Sequence, residues 1–170
     1  MAHMDNKQER FLKTIDQNRG IIYKVANTYC RDEDGRKDLV QEIIIQLWKS
    51  FDRYNEKFKI STWMYRIALN VSISFYRRDM SRKRSEVPLA PGVGDASADV
   101  DSPGLESDLG LLQRFIAELK ELDRALMLLY LEEKPHREIA EIMGLTETNV
   151  GTKIGRIREK LKNRFAQTKR

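Results

Sequence analysis

Cysteine is nearly absent. Cys30 is the one thiol in 170 residues, which excludes an internal disulfide framework and any cysteine-rich zinc site. Histidine is almost as scarce: there are two, and His3 lies in Met1-Ala2-His3-Met4, so residues 1–4 read as an expression-vector remnant and are set aside. No apolar run approaches the roughly 18 residues needed to span a membrane. The polar, charged N-terminus carries no signal-peptide pattern. No two-residue hairpin signal and no internal repeat at a fixed period occur. Nor is there a Gly-rich phosphate loop, a metal-ligand cluster or a nucleophile–histidine pairing. These absences give the expectation of a cytoplasmic, non-enzymatic chain with no cofactor, no metal and no small-molecule substrate.

Proline is scarce too, and three of the four prolines fall within residues 85–110, with four of the nine glycines, six acids and no base. Such a stretch cannot bury enough apolar surface to offset its ordering entropy, so it reads as a flexible acidic linker; the alternative is a loop inside one domain. Cutting there separates the charge. Residues 5–84 hold 18 bases and 11 acids, a net +7, and residues 111–170 hold 13 bases and 9 acids, a net +4. The linker is −6, so the overall +5 is a cancellation. Two basic modules around an acidic tether suit polyanionic partners.

Both modules read as helical. Apolar residues recur at three and four spacing, which predicts helices near 6–31 (with Gly20 as the candidate break), 36–51, 60–79, 108–120, 122–133, 135–143 and 146–166. The expected fold is all-α, two small helical domains at 5–84 and 111–170 joined by the linker.

In the second module, Pro135 suits a helix start, and Ile139, Ala140 and Met143 form one apolar face. Gly144 ends that helix, and Thr146 or Thr148 can cap the next. Val150, Ile154, Ile157, Leu161 and Phe165 follow at spacings of 4, 3, 4 and 4, the buried stripe of an amphipathic helix. This is the pattern of a helix-turn-helix whose second helix enters the DNA major groove. Away from the stripe lie Asn149, Thr152, Lys153, Arg156 and Lys160, residue types that read base edges or neutralise phosphate. The plain alternative is a helical hairpin with a solvated basic face. His136 reads as a surface histidine, and Cys30 as a core residue.

In the first module, Leu39, Val40, Ile43, Ile44, Leu47 and Phe51 cover a wide core-facing arc. Asp38, Gln41, Glu42 and Ile45 lie on or beside the opposite, acidic face, which suits a protein partner rather than DNA; an ordinary solvated face is the alternative. Eight of the chain's fourteen aromatics fall between Trp48 and Tyr76, interleaved with bases. That mixture suits single-stranded nucleic acid, where bases stack and phosphates are neutralised, although most of these rings are expected in the core. Lys57, Phe58, Lys59, Trp63, Arg66, Asn70, Arg77 and Arg78 are the candidates.

Three stretches in this order, DLVQEIIIQLW, STWMYRIALN and REIAEIMGLTETNVGTKIGRIREKL, resemble the extracytoplasmic-function (group IV) class of bacterial sigma factors. The resemblance spans about residues 8–166. It implies a σ2 domain and a σ4 domain. The Asp38–Trp48 helix would dock on the β′ clamp helices of core RNA polymerase, and the second domain on the β flap. Asn55–Ile60 and the following helix, with Asn70 at the family's RIA-x-N asparagine, would capture melted −10 bases. The second helix of the helix-turn-helix would read the −35 element. The linker would thread the polymerase, and an anti-sigma factor is an implied partner besides promoter DNA. Gly151 and Gly155 depart from the family pattern, so its −35 preference does not transfer. A linker of 26 residues spans roughly 28 Å as a coil and at most about 90 Å extended, and promoter elements more than one turn of about 35 Å apart would stretch it. The competing readings are a free-standing DNA-binding regulator, which would not need a polymerase partner for the Asp38–Trp48 face, and an enzyme, for which no motif speaks.

Overall fold

A computed structural model describes residues 2–86 and 107–169. It contains seven α-helices among the described residues: α1 (Ala2–Tyr29), α2 (Glu33–Ser50), α3 (Ile60–Glu86), α4 (Asp108–Ala117), α5 (Glu121–Leu131), α6 (His136–Met143) and α7 (Glu147–Thr168), with a 3-10 turn at Phe51–Arg53 after α2. The expected linker falls mostly on residues 87–106, outside the described residues. The fold is all-helical, with α1–α3 in one domain and α4–α7 in the other.

Each N-terminal helix buries one stripe. Ile22, Val25 and Ala26 of α1, Leu39, Ile43 and Leu47 of α2, and Met64, Ala68 and Leu69 of α3 meet in the core. At one end Phe11 packs edge-on against Trp48 and Phe51, at centroid distances of 5.0 and 5.3 Å. The break in α1 is at Asn18 (φ −122°, ψ 16°) and not at Gly20. The Asn18 amide donates to the Thr14 carbonyl at 2.9 Å, taking the acceptor that the helical backbone would use. A short polar side chain competes with the ladder in this way, whereas a glycine only permits a break. α3 runs to Glu86, past the expected end at residue 79. Asp79 lies between Arg82 and Lys83, at 3.0 Å from each, and such i,i+3 and i,i+4 pairs support a polar helix end.

α2 begins at a tight N-cap. The Asp32 carboxylate accepts from the Gly35 N–H at 2.7 Å, and the Cys30 thiol donates to the other carboxylate oxygen at 3.4 Å. A Cβ on Gly35 would lie 2.7 Å from both Asp32 Oδ2 and Cys30 Sγ, so only glycine fits there.

In the C-terminal domain α6 ends as the turn chemistry predicts. Gly144 is left-handed (φ 67°, ψ 36°) and the Leu145 N–H returns to the Ala140 carbonyl at 3.0 Å, a Schellman closure. Thr146 is the cap of α7, accepting from the Asn149 N–H at 3.2 Å. Val150, Ile154, Ile157 and Leu161 are buried and Phe165 is half-buried, stacking edge-on against Phe115 at 5.0 Å. Four buried aliphatics are worth roughly 1.5–3 kcal/mol each. That outweighs about 1 kcal/mol for each of the two glycines in α7, so the helix persists through Gly151 and Gly155.

Replacing Asp32 with alanine removes the α2 cap and is expected to lower stability by about 1 kcal/mol, with Asp32→Asn losing less; urea midpoints check this. The Gly35 hydrogen bond holds the Asp32 carboxyl below its ordinary pKa. Stabilisation from a depressed carboxylate is present above its unfolded value of about 4 and is lost as pH falls through the folded one. The gap between native protein and Asp32→Ala should therefore close in acid and stay constant from pH 6 to 8.

Candidate protein and nucleic-acid interfaces

The exposed side of α2 is set by its buried stripe. Asp38 and Gln41 are exposed, Glu42 is half-buried, and Ile45 is 52% exposed among them. A large aliphatic left in water beside carboxylates is costly to hydration and suits a partner with an apolar, basic surface. Glu42 pairs with Arg78 of α3 at 2.6 Å, which ties this face to the end of α3.

The loop before α3 is pinned onto an aromatic wall. The Tyr54 hydroxyl donates to the Phe58 carbonyl at 2.8 Å, and the Lys57 N–H donates to Asn55 Oδ1 at 3.2 Å. Between them Glu56 is left-handed (φ 57°), an uncommon backbone state for a non-glycine residue that surrounding contacts must hold. Phe58 and Trp63 are half-buried. Trp63 rests on Tyr54 and Phe51 at 5.3 and 6.2 Å, and Arg66 and Lys57 lie over the Phe58 ring at 5.5 and 5.9 Å. Lys57, Lys59, Arg66 and Asn70 are exposed around these rings. Asn70 makes no side-chain hydrogen bond among the described residues, so its amide is available as donor and acceptor. The arrangement offers stacking surfaces, cations for phosphate and one free amide.

Arg77 and Arg78 diverge. Arg78 turns to Glu42, and Arg77 pairs with Glu121 of α5 at 2.6 Å. The structure thus brings Lys57 through Asn70 together but commits Arg77 to the other domain. Tyr65, on the same helix, is buried, with its phenol pushed up to about 12 mainly by that burial and then by Glu132 and Glu138.

On α7 some cations have partners and others do not. Arg158 lies over the Tyr130 ring at 5.7 Å, Lys162 pairs with Glu159 at 3.2 Å, and Arg164 pairs with Glu118 at 2.5 Å. Lys153, Arg156 and Lys160 have no acidic partner among the described residues. Asn149, Thr152, Arg156 and Lys160 are exposed and Lys153 is half-buried. The Thr152 hydroxyl donates to the Thr148 carbonyl at 3.0 Å, which leaves its methyl group and hydroxyl lone pairs facing outward. A row of unpaired cations along an exposed helix face is suited to phosphate and base edges in a major groove.

A residue that the sequence pattern did not single out is Arg124 on α5, which is buried with contacts in both domains. The available signal was a lone cation inside the apolar run LDRALMLLYL.

Residues 14–82 match the family described as Sigma-70 region 2, and residues 109–161 match Sigma-70, region 4. The chain is 31% identical over 138 residues to the ECF RNA polymerase sigma-E factor of Haemophilus influenzae, covering 75% of this chain and 73% of that protein. It is 26% identical over 172 residues to RNA polymerase sigma factor YlaC of Bacillus subtilis, covering 99% and 97%. Among solved structures, CnrH in complex with the cytosolic domain of CnrY shares the fold with a TM-score of 0.67, at 19% identity over 94% of this chain and 90% of that one, and the sigma factor RpoE from Bartonella quintana, in complex with the anti-sigma factor NepR, with a TM-score of 0.61, at 21% identity over 94% and 95%.

Gly155 has no neighbour within 4 Å of a built Cβ. Gly155→Ala should therefore raise thermal stability, by roughly 0.5–1 kcal/mol. If the bare backbone of α7 is what approaches DNA, the same variant binds duplex less tightly while melting later; calorimetry and a duplex titration read the two effects separately.

Proposed function

The chain belongs to the extracytoplasmic-function class of RNA polymerase sigma factors, the non-catalytic subunits that direct promoter-specific transcription initiation, and on that premise we propose a division of labour among its helices. The first domain, residues 5–84, binds core polymerase through Asp38, Gln41, Glu42 and Ile45, with the β′ clamp helices as the docking partner. Lys57, Phe58, Lys59, Trp63, Arg66 and Asn70 hold melted −10 bases, and Arg77 and Arg78 supply phosphate contacts once released from Glu121 and Glu42. In the second domain, residues 111–170, α7 reads the −35 element with Asn149, Thr152, Lys153, Arg156 and Lys160. Residues 85–110 tether the two.

The observation that carries this reading is the row of unpartnered cations on α7. Acids and rings engage Arg158, Lys162 and Arg164, and none engages Lys153, Arg156 or Lys160 among the described residues. Lys153, Arg156 and Lys160 follow one another at spacings of 3 and 4, so they share one row of the helix surface. Melting also needs somewhere for an unpaired base to go, and half-exposed rings beside Arg66 and Asn70 supply it.

Two further partners fit. A groove of about 400 Å³ lined by Leu112, Met127, Leu161 and Phe165, with Arg158 and Lys162 at its edge, suits an apolar segment of the polymerase β flap. An anti-sigma factor is a partner by analogy with the RpoE–NepR complex. The chain acts where the polymerase is, in the cytoplasm.

In vitro transcription with core polymerase and a genomic promoter pool tests the whole reading; no promoter-specific transcript, together with specific duplex binding by the chain alone, would favour a free-standing regulator. Asn70→Ala is expected to slow open-complex formation while core binding stays unchanged, measured by permanganate footprinting beside a core titration. It is a cleaner probe than Trp63→Ala, which also removes packing on Tyr54 and Phe51. Arg156→Ala should weaken −35 duplex binding by about 1–3 kcal/mol and relax the preference at one base pair; unchanged affinity and preference would remove Arg156 from the site.

A further inference from the structure

Gly151 of α7 is covered by a side chain from α6. A Cβ built on it would lie 3.5 Å from His136 Nδ1 and 3.6 Å from His136 Cε1, so the imidazole rests against a turn of α7 that has no side chain of its own. His136 is otherwise exposed. The turn before it fixes its place. Glu133 is left-handed (φ 57°), and the Lys134 N–H returns to the Leu129 carbonyl at 3.1 Å. That closes α5 and starts α6 beside the N-terminal end of α7.

A helix lying in the major groove runs between two sugar–phosphate walls. Lys153, Arg156 and Lys160 lie to one flank of the buried stripe of α7. Gly151, two residues before Lys153, lies about 160° round the helix from it, on the other flank. Further along that flank Arg158 lies over the Tyr130 ring at 5.7 Å, and Lys162 pairs with Glu159 at 3.2 Å. The first helix of a helix-turn-helix crosses the DNA backbone, and the side chain that α6 sets over this bare flank is His136.

The charged groups around the imidazole are few. Glu133 and Lys134 of the turn, with Tyr130 of α5, line one cleft with it. On α6 Arg137 pairs with Glu141 at 3.7 Å, and Glu138 is held by Lys134 at 3.2 Å. On α7 Glu147 stands one turn before Gly151. No carboxylate pairs with the imidazole among the described residues, so its ring nitrogens are open to an anion.

We propose that His136 is a further DNA-backbone contact, an imidazolium that donates to a phosphate on the groove wall opposite the Lys153 row, so that duplex affinity rises as pH falls. This deepens the reading of α6 and α7 as a duplex-binding helix-turn-helix and rests on it. Histidine is the side chain whose charge ordinarily changes between pH 5 and 8, and His136 is the one histidine outside residues 1–4. The charged form binds phosphate better, so binding takes up a proton, and the gain fades as pH rises towards 8.

The test titrates the full chain, with core polymerase present, onto genomic duplex fragments selected for binding to it, at pH 6 and pH 8. At pH 6 the native chain is expected to bind about two- to fivefold more tightly than His136→Gln, the size of one exposed ion pair, and at pH 8 the two should nearly match. The native salt slope at pH 6 should be steeper by about 0.9, one released counterion. His136→Lys carries its charge throughout and should keep the tighter binding at both pH values, a rescue that a merely structural role would not give. Native chain and His136→Gln binding alike at both pH values, or His136→Lys no tighter than His136→Gln, would overturn the proposal. Arg156→Ala separates the two levels. If it weakens binding at both pH values while native chain and His136→Gln stay alike, the backbone contact alone fails; if it too changes nothing, the reading of α7 fails with it.

Discussion

In α7, Val150, Ile154, Ile157 and Leu161 are buried against the rest of the C-terminal domain, and that one stripe fixes the rotation of the helix about its axis. A helix of this size can bury only one face, so every residue opposite the stripe is committed to water or to a partner. The same constraint acts on α2, where burying Leu39, Ile43 and Leu47 leaves Ile45 outward among Asp38, Gln41 and Glu42. It acts again on α3, where burying Met64, Ala68 and Leu69 leaves Arg66 and Asn70 outward. The recognition surfaces are the complement of the cores.

This is why so much was legible in the sequence. Periodicity reports which face is buried, so the helices, the all-helical class and the outward residues of α7 follow from it. Gly144 and a threonine cap at Thr146 or Thr148 were legible for a different reason, since each performs a local backbone task that few residue types can perform. What escaped has no periodic signature. The kink sits at Asn18 because a side-chain amide reached a carbonyl four residues back, while Gly20, the more obvious breaker, stays helical. Gly35 is required by the crowding of Asp32 and Cys30, which only coordinates display. Arg124 meets Thr28 and Tyr29 across more than ninety residues, a distance over which a single sequence carries no pattern.

Charge follows the same division. The net +5 of the chain says little, because opposite signs occupy different stretches. The structure adds a second sorting, within a single helix. Arg158, Lys162 and Arg164 are engaged by neighbours, whereas Lys153, Arg156 and Lys160 are not. Ionic strength should therefore act unevenly. Exposed ion pairs inside the chain contribute little at any salt, while contacts from unpaired cations to a polyanion weaken steeply as salt rises.

The Asp32 cap has a consequence for how this molecule can be handled. Its carboxylate holds the Cys30 thiol as a hydrogen-bond donor, and burial with that contact pushes the thiol pKa up to about 11. At neutral pH such a thiol is ionised in roughly one molecule in ten thousand, and thiolate is the reactive form. Maleimide dyes, spin labels and mild oxidants should pass Cys30 by. A reporter cysteine introduced on a solvent-facing position can then be labelled selectively in the otherwise native chain.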